Sequence, residues 1–342
     1  MKYSFFNDYS EGAHPKVLEM LTNTNLIQES GYGEDSITLE AINLIKSAIG
    51  NQDIAVHFIS GGTHANLTVL ASMLKPFEGV ISANSGHIFV HEAGAIEAIG
   101  HKIIAVDSKD GKLTPELIQI GLNTHEDEHT VKPKVVFVSQ STEVGTIYKY
   151  SELQSISEFC KKNNLYLYLD GARLASGLTS SAADLNLKQI AELVEAFYIG
   201  GTKNGALLGE AIIIVNKELQ ADFRYHLKQR GALLAKGRLL GIQFKALFEN
   251  NLYFELAKHA NTMAEKLSKG ILVMGYNFLT DSSTNQVFPI LPNKIIDKLS
   301  KDYGFYNWSK IDDEKTAIRL VTSWATDEHF INEFLKDLRA LA

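Results

Sequence analysis

Seven short β-rich runs separated by helix-patterned stretches fill residues 38 to 215, and this alternation constrains the fold more than any other feature of the chain. The runs are "IAVHFIS", "GVISAN", "KIIAVD", "KVVFVSQ", "LYLYLD", "AFYIG" and "AIIIV". "TLEAINLIKSAIG" and "HANLTVLASMLK" place apolar residues at helical spacing, and the first ends in glycine. Strands that are apolar throughout are buried on both faces, so the alternation predicts an α/β fold: a mostly parallel sheet flanked by helices. Beyond residue 221 the texture changes to a long amphipathic helix pattern, "LLGIQFKALFENNLYFELAKHANTMAEKLSKG", then "NQVFPILP" and the closing run "FINEFLKDLRAL". The expected division is an N-terminal segment and large domain over 1–249, and a smaller C-terminal α/β domain over 250–342.

With 342 residues, 45% of them hydrophobic, the chain can bury a large core. A formal net charge of -7 offers no basic field for a nucleic-acid backbone or an anionic membrane. No apolar run reaches the roughly 18 residues of a membrane helix. "MKYSFFNDYSEGAHP" lacks the basic start and apolar stretch of a secretory leader. The only cysteine, Cys160, has no partner for an internal disulfide. These features point to a cytoplasmic protein whose partners are small molecules or other subunits, with no nucleic acid and no membrane.

Ligands of open parallel sheets sit at the carboxyl ends of the strands, and three suggestive stretches fall there. "FISGGTHAN" runs from a strand through Gly61, Gly62 and Thr63 into a helix whose first amides are free to hold an anion; the alternative is an ordinary turn with a threonine N-cap. "YLYLDGARLASG" ends an apolar strand in Asp170, a carboxylate too costly to leave without a cationic partner. That partner is either Arg173 or the protonated ring nitrogen of a bound cofactor. "YIGGTKNG" places Lys203 on a turn with Gly200, Gly201 and Gly205, and a lysine held in such a crevice can form a Schiff base with a carbonyl. An anion site, a carboxylate for a ring nitrogen and an amine, in that order, are what pyridoxal 5'-phosphate requires.

The chain resembles the fold-type I pyridoxal phosphate enzymes and, within them, the L-threonine aldolase branch of the β-eliminating lyase group. The landmarks are "GYGED", "SGGTHANL", "SGHIFVHEAGA", "SQSTEVGTIY", "LDGAR", "GGTKNG", "QRGALLAKGR" and "IRLVTSW", in the family's order. The resemblance implies that Lys203 carries the cofactor, that Asp170 meets its ring nitrogen and that Arg173 lies near its phenolic oxygen. By the same resemblance, Gly61, Gly62 and Thr63 form the phosphate turn, His87 stacks on the ring and Arg319 fixes the substrate α-carboxylate, a role suited to a guanidinium fork. It further implies a homotetramer built from dimers with shared sites, to which Tyr32 lends an aromatic ring. One of Lys228, Arg230, Lys236 and Arg238, with Lys236 foremost, reaches a neighbour's phosphate. The implied reaction is cleavage of threonine, allo-threonine or a related β-hydroxy-α-amino acid to glycine and an aldehyde. Its base is His87, Glu143 or a water, and β-elimination from cysteine or an aromatic amino acid is the rival.

Two positions depart from the common pattern. Glu143 stands where many threonine aldolases carry a histidine near the substrate hydroxyl, as in a phenylserine-aldolase-like subgroup; its alternative role is an ion pair with a nearby basic side chain. "FFNDY" replaces a serine-aspartate pattern, which puts Asn7 and Asp8 at the edge of the substrate site. "HEDEH", His125 to His129, matches a zinc-protease spacing but sits in a polar stretch that reads as a solvated connector. No metal is expected, and His91 is expected to be a packed or surface residue.

Overall fold

A computed structural model describes residues 1–341. After a short strand β1 (Tyr3–Ser4), the seven apolar runs become β2 (Ala55–Ile59), β3 (Glu78–Ala83), β4 (Ile103–Val106), β5 (Lys132–Ser139), β6 (Tyr166–Asp170), β7 (Ala196–Gly200) and β8 (Glu210–Ile214). They form one sheet in the order β2-β8-β7-β6-β5-β3-β4. The pairs from β7 through β6, β5 and β3 to β4 are parallel, whereas β8 runs antiparallel to both β7 and β2.

Strand alternation assigns neighbouring side chains to opposite faces. Val136, Leu167, Leu169 and Ile213 belong to one hydrophobic core. Val135, Phe137, Tyr168, Ile212 and Ile214 belong to the other. Each such side chain contributes about 1.5–3 kcal/mol when taken from water, so a strand with two apolar faces is stable only between two helical layers. The helix Ser36–Ile49 is framed by its own sequence: Asp35 accepts the Thr38 amide at 2.7 Å, and Gly50 closes the far end at φ 73°.

The C-terminal lobe holds a second sheet. β9 (Gln286–Val287) and β10 (Ile290–Pro292) both pair with β13 (Lys315–Val321), as does β12 (Tyr306–Lys310), all antiparallel. The strand between them, β11 (Tyr303–Gly304), instead pairs in parallel with β1, and Phe5 enters the lobe's core beside Ile318 and Phe334. The chain's first residues therefore pack with its last hundred.

The long helical pattern is broken where it reads "ENN". Asn250 and Asn251 take φ of 53° and 63°, a left-handed turn that asparagine tolerates. The helix Leu252–Val273 then starts afresh, with Tyr253 and Leu256 in the core of the large sheet and Leu267 and Ile271 in that of the small lobe. "HEDEH" lies beyond the end of the helix Pro115–Asn123, in an exposed turn where Asp127 accepts the His129 amide at 3.1 Å. No helix among the described residues is long and apolar enough to cross a membrane.

Candidate active site

Lys203 is delivered by a turn that backbone contacts hold on both sides. Gly201 and Thr202 donate to the Gly209 carbonyl, Asn204 Nδ2 donates to the Tyr253 carbonyl at 2.7 Å, and the His14 amide donates to the Gly205 carbonyl at 2.8 Å. The ends of β6 and β7 approach so closely that a Cβ at Gly171 would lie 1.7 Å from the Tyr198 carbonyl oxygen, so no other residue fits there. The Lys203 amine is pushed down from the ordinary lysine range, first by burial and then by the Arg173 charge, against the opposing pull of Asp8, Asp170 and Glu210. Behind the turn, buried Glu210 accepts the Gly201 amide at 2.9 Å, and burial pushes its carboxyl up to about 7. The result is a lysine poised toward its neutral, nucleophilic form.

Asp170 is buried at the end of β6 and is held entirely by neutral donors. Tyr198 Oη donates to Oδ1 at 2.5 Å, the Ala172 amide donates to the same oxygen at 2.9 Å, and Asn66 Nδ2 donates to Oδ2 at 3.0 Å. Arg173 is not its partner. Its Nε and Nη2 clamp the two oxygens of Asp8 at 2.7 and 3.0 Å, and Asn285 Nδ2 adds a third bond to Asp8 at 2.9 Å. Burial would raise the Asp8 carboxyl, but Arg173 and Lys203 outweigh it and hold Asp8 below its ordinary range. The structural ion pair considered for Asp170 thus exists elsewhere.

The turn after β2 leaves its amides open. Gly61, with extended backbone, is the N-cap of the helix Gly62–Met73 and offers no side chain to it. Thr63 lies inside the first turn, so the threonine N-cap alternative is corrected. The first bond of the helix is Ala65 N to Gly61 O at 2.9 Å, which leaves the amides of Gly62, Thr63 and His64 facing outward.

A second wall closes the site from the small sheet. Tyr9, His87, His91, Glu143, Arg173, Lys203, Tyr306, Trp308 and Arg319 surround one cavity of about 320 Å³. Arg319, on β13, has its guanidinium carbon 4.9 Å from the ring centres of both Tyr306 and Trp308. Its Nη2 makes one long bond to the Phe6 carbonyl at 3.4 Å, and its Nε is buried without a partner among the described residues. Burial, and then the repulsion of Arg173, push it down to about 10. A half-buried cation without an anion among the described residues is costly, so a carboxylate entering this cavity would find a free partner there.

Glu143 faces the same cavity. Its Oε1 accepts the His87 amide at 3.0 Å and Ser139 Oγ at 2.9 Å, so it pairs with no basic side chain, and burial followed by the Asp170 charge pushes its carboxyl up. His87 Nδ1 lies 2.8 Å from Glu92 Oε1.

Other expected residues fall elsewhere. Asn7 turns its carboxamide oxygen onto the Tyr9 amide and Ser10 Oγ, both at 3.0 Å, and it is Tyr9 that lines the cavity. His91 is exposed, as expected of a surface residue, and also lines the cavity mouth. Tyr32 lines a different cavity of about 430 Å³, with Lys228 Nζ 4.8 Å from its ring centre. Lys236 is exposed and does not line the site of its own chain. Asn66, Glu92, Tyr198, Glu210, Tyr306 and Trp308 had no spacing signal in the sequence. Glu92, in "HEAGA", and Glu210, in "LGEAIIIV", could have been noticed as charges beside apolar runs.

A lysine on a glycine turn, a strand-end aspartate held by neutral donors and an uncapped glycine turn, on this sheet, fit a fold-type I pyridoxal phosphate enzyme. The chain belongs to the β-eliminating lyase family, whose model matches residues 13–293. It is 33% identical to the low specificity L-threonine aldolase of Pseudomonas aeruginosa, over 98% of this chain and 96% of that one. It superposes on the threonine aldolase of Leishmania major with a TM-score of 0.98 at 48% identity, covering 99% of both chains. An aspartate aminotransferase of Thermus thermophilus, at 13% identity and a TM-score of 0.75 over 100% of this chain and 92% of that one, shares the fold alone. This family and this fold are pyridoxal 5'-phosphate dependent, and the residues present fit that group: an amine, a cationless carboxylate and an open set of amides.

Proposed function

We propose that the chain is a low-specificity threonine aldolase, a carbon-carbon lyase that cleaves L-threonine, L-allo-threonine and related β-hydroxy-α-amino acids to glycine and an aldehyde. The carrying observation is that the Lys203 amine and the Arg319 guanidinium, which has no anionic partner, face one cavity. A β-hydroxy amino acid matches that cavity: its carboxylate would meet Arg319 and its hydroxyl would lie near His87 or Glu143. Relatives named as threonine aldolases over nearly the whole chain support this reading over β-elimination.

Lys203 would hold the cofactor's aldehyde carbon, Asp170 its ring nitrogen, and the Gly61–Gly62–Thr63 turn, through the open amides of Gly62 and Thr63, its phosphate. His87 would cover the ring face, and Arg173, whose Nη1 is not used by Asp8, would reach the phenolic side. When bound, pyridoxal phosphate supplies an electron sink for the pair left at Cα as the Cα–Cβ bond breaks. Arg319 orients the carboxylate so that this bond faces the reacting centre. Asp170 keeps a proton at the ring nitrogen, and a base at His87 or Glu143 removes the β-hydroxyl proton. Tyr306 and Trp308 flank Arg319 and would hold its guanidinium in place for that carboxylate.

The same reading carries a cytoplasmic homotetramer in which Tyr32 and Lys236 serve a neighbour's site. Their exposure on this chain supports it, as does the single, buried Cys160. A panel of threonine, allo-threonine, phenylserine, cysteine and tyrosine, scored for aldehyde and for ammonia, tests the proposal. Aldehyde from the hydroxy amino acids is expected, and ammonia with a keto acid in its place would move the chain to the β-elimination rival.

A further inference from the structure

Behind the cavity, Asn66 and Glu92, which no step above uses, join Asp170 to His87 in one chain of hydrogen bonds. Asn66 sits at its centre, fully buried on the helix Gly62–Met73. Its Nδ2 donates to Asp170 Oδ2 at 3.0 Å and to Glu92 Oε1 at 2.7 Å, while its Oδ1 accepts from Tyr168 Oη at 3.0 Å. This fixes the amide's orientation, because the flipped form would turn an oxygen onto two carboxyl groups and a nitrogen onto a hydroxyl donor. Glu92 Oε1 then takes a second contact, His87 Nδ1 at 2.8 Å. The Glu92 side chain has no solvent exposure, and its Oε2 is buried without a partner among the described residues.

The hydrogen count follows from these contacts. An ionised Glu92 has no proton to give, so its Oε1 accepts both from Asn66 and from His87, and His87 Nδ1 is then the donor. The other ring nitrogen, Nε2, lies across Cε1 from Nδ1 and is left free of Glu92, and the partly exposed imidazole lines the cavity with Glu143, Lys203 and Arg319.

We infer that Glu92 and Asn66 are positioning residues that fix His87 in its Nδ1–H tautomer and tie it to Asp170, so that the Nε2 lone pair is presented to the cavity. The consequence for turnover rests on the aldolase reading: Nε2 is the atom offered to the substrate's β-hydroxyl proton, and its direction depends on Glu92. The tautomer itself rests only on the hydrogen bonds. The chain also gives the Asp170 carboxylate and the His87 ring a shared support, since one Asn66 nitrogen serves both carboxyl groups.

Neutron diffraction from crystals of the cofactor-loaded enzyme at pH about 8, above the ordinary imidazole range, reads the proton directly. Deuterium on His87 Nδ1 and none on Nε2 is expected, and deuterium on Nε2 overturns the inference. Two variants carry it to catalysis. Glu92→Leu removes the acceptor and should lower kcat for aldehyde release by about tenfold or more, with KM changed by less than about threefold. Glu92→Gln keeps a carbonyl oxygen that can accept from both Asn66 and His87, so it should retain the Nδ1–H tautomer and most of kcat. A folded Glu92→Leu enzyme with wild-type kcat, or a Glu92→Gln enzyme with the proton moved to Nε2, overturns the assignment. If Glu92→Leu does not fold, the wild-type and glutamine maps still decide. A wild type that releases no aldehyde from any hydroxy amino acid would sink the aldolase reading while leaving the proton position measured.

Discussion

The two walls of the cavity bury opposite problems and solve them differently. On the wall made by the central sheet, Arg173 is matched oxygen for oxygen with Asp8, and Asp170 is wrapped in neutral donors. On the wall made by the small sheet, Arg319 has only two aromatic rings and one long carbonyl contact. Two arginines thus share one cavity, one paired within the fold and the other half-buried with no anion among the described residues, free to take one from a ligand.

The comparison can be broken by substitution, starting with the residue that both walls face. Lys203→Ala should abolish borohydride-stable attachment of the cofactor and lower aldehyde release by on the order of 10³-fold or more; wild-type turnover in this variant would place the chemistry elsewhere. Arg173→Leu strands Asp8 as a buried charge and should cost about 3–5 kcal/mol of stability, visible in denaturant unfolding of the cofactor-free chain; an unchanged midpoint would make the pair ornamental. Arg319→Leu should do the reverse. It should lower kcat/KM by about 10²-fold while leaving stability unchanged or raised, because it removes a cation that has no anion in the fold. A large stability loss with unaltered kinetics would erase the contrast between the walls.

How much of this was legible in the sequence divides along the same line. The central wall was readable because a strand's carboxyl end is marked in the chain itself: an apolar run, then Asp170 or Lys203, then glycine. The seven strands followed from the same apolar signal. What sequence could not supply were contacts between distant segments, such as Asp8 with Arg173, Asn66 with Glu92, or β1 with β11. These are set by tertiary packing and leave no period. The small wall was legible only through family resemblance, since nothing about "IRLVTSW" alone places Arg319 between Tyr306 and Trp308. The break at Asn250 was hidden by an apolar pattern that continues across it.

A smaller effect sharpens the account behind Lys203. The Glu210 carboxyl is raised by burial from 4.5 to about 7. A raised carboxyl contributes stability that is fully present below the unfolded value and is lost as pH rises through the folded one. Relative to Glu210→Gln, the wild type should therefore lose stability between pH about 4.5 and about 7, and level off above it. Thermal unfolding of both proteins across that window measures it, and parallel curves would remove Glu210 from the balance of charges around the amine.

If the Lys203 amine and Arg319 act together on a β-hydroxy amino acid, the Cα–Cβ bond is the one that breaks. Incubation of the cofactor-loaded enzyme with L-threonine, with every product quantified, tests it most directly. Glycine and acetaldehyde in equal amounts and no ammonia are expected; ammonia with a keto acid, and no acetaldehyde, would rule out aldol cleavage.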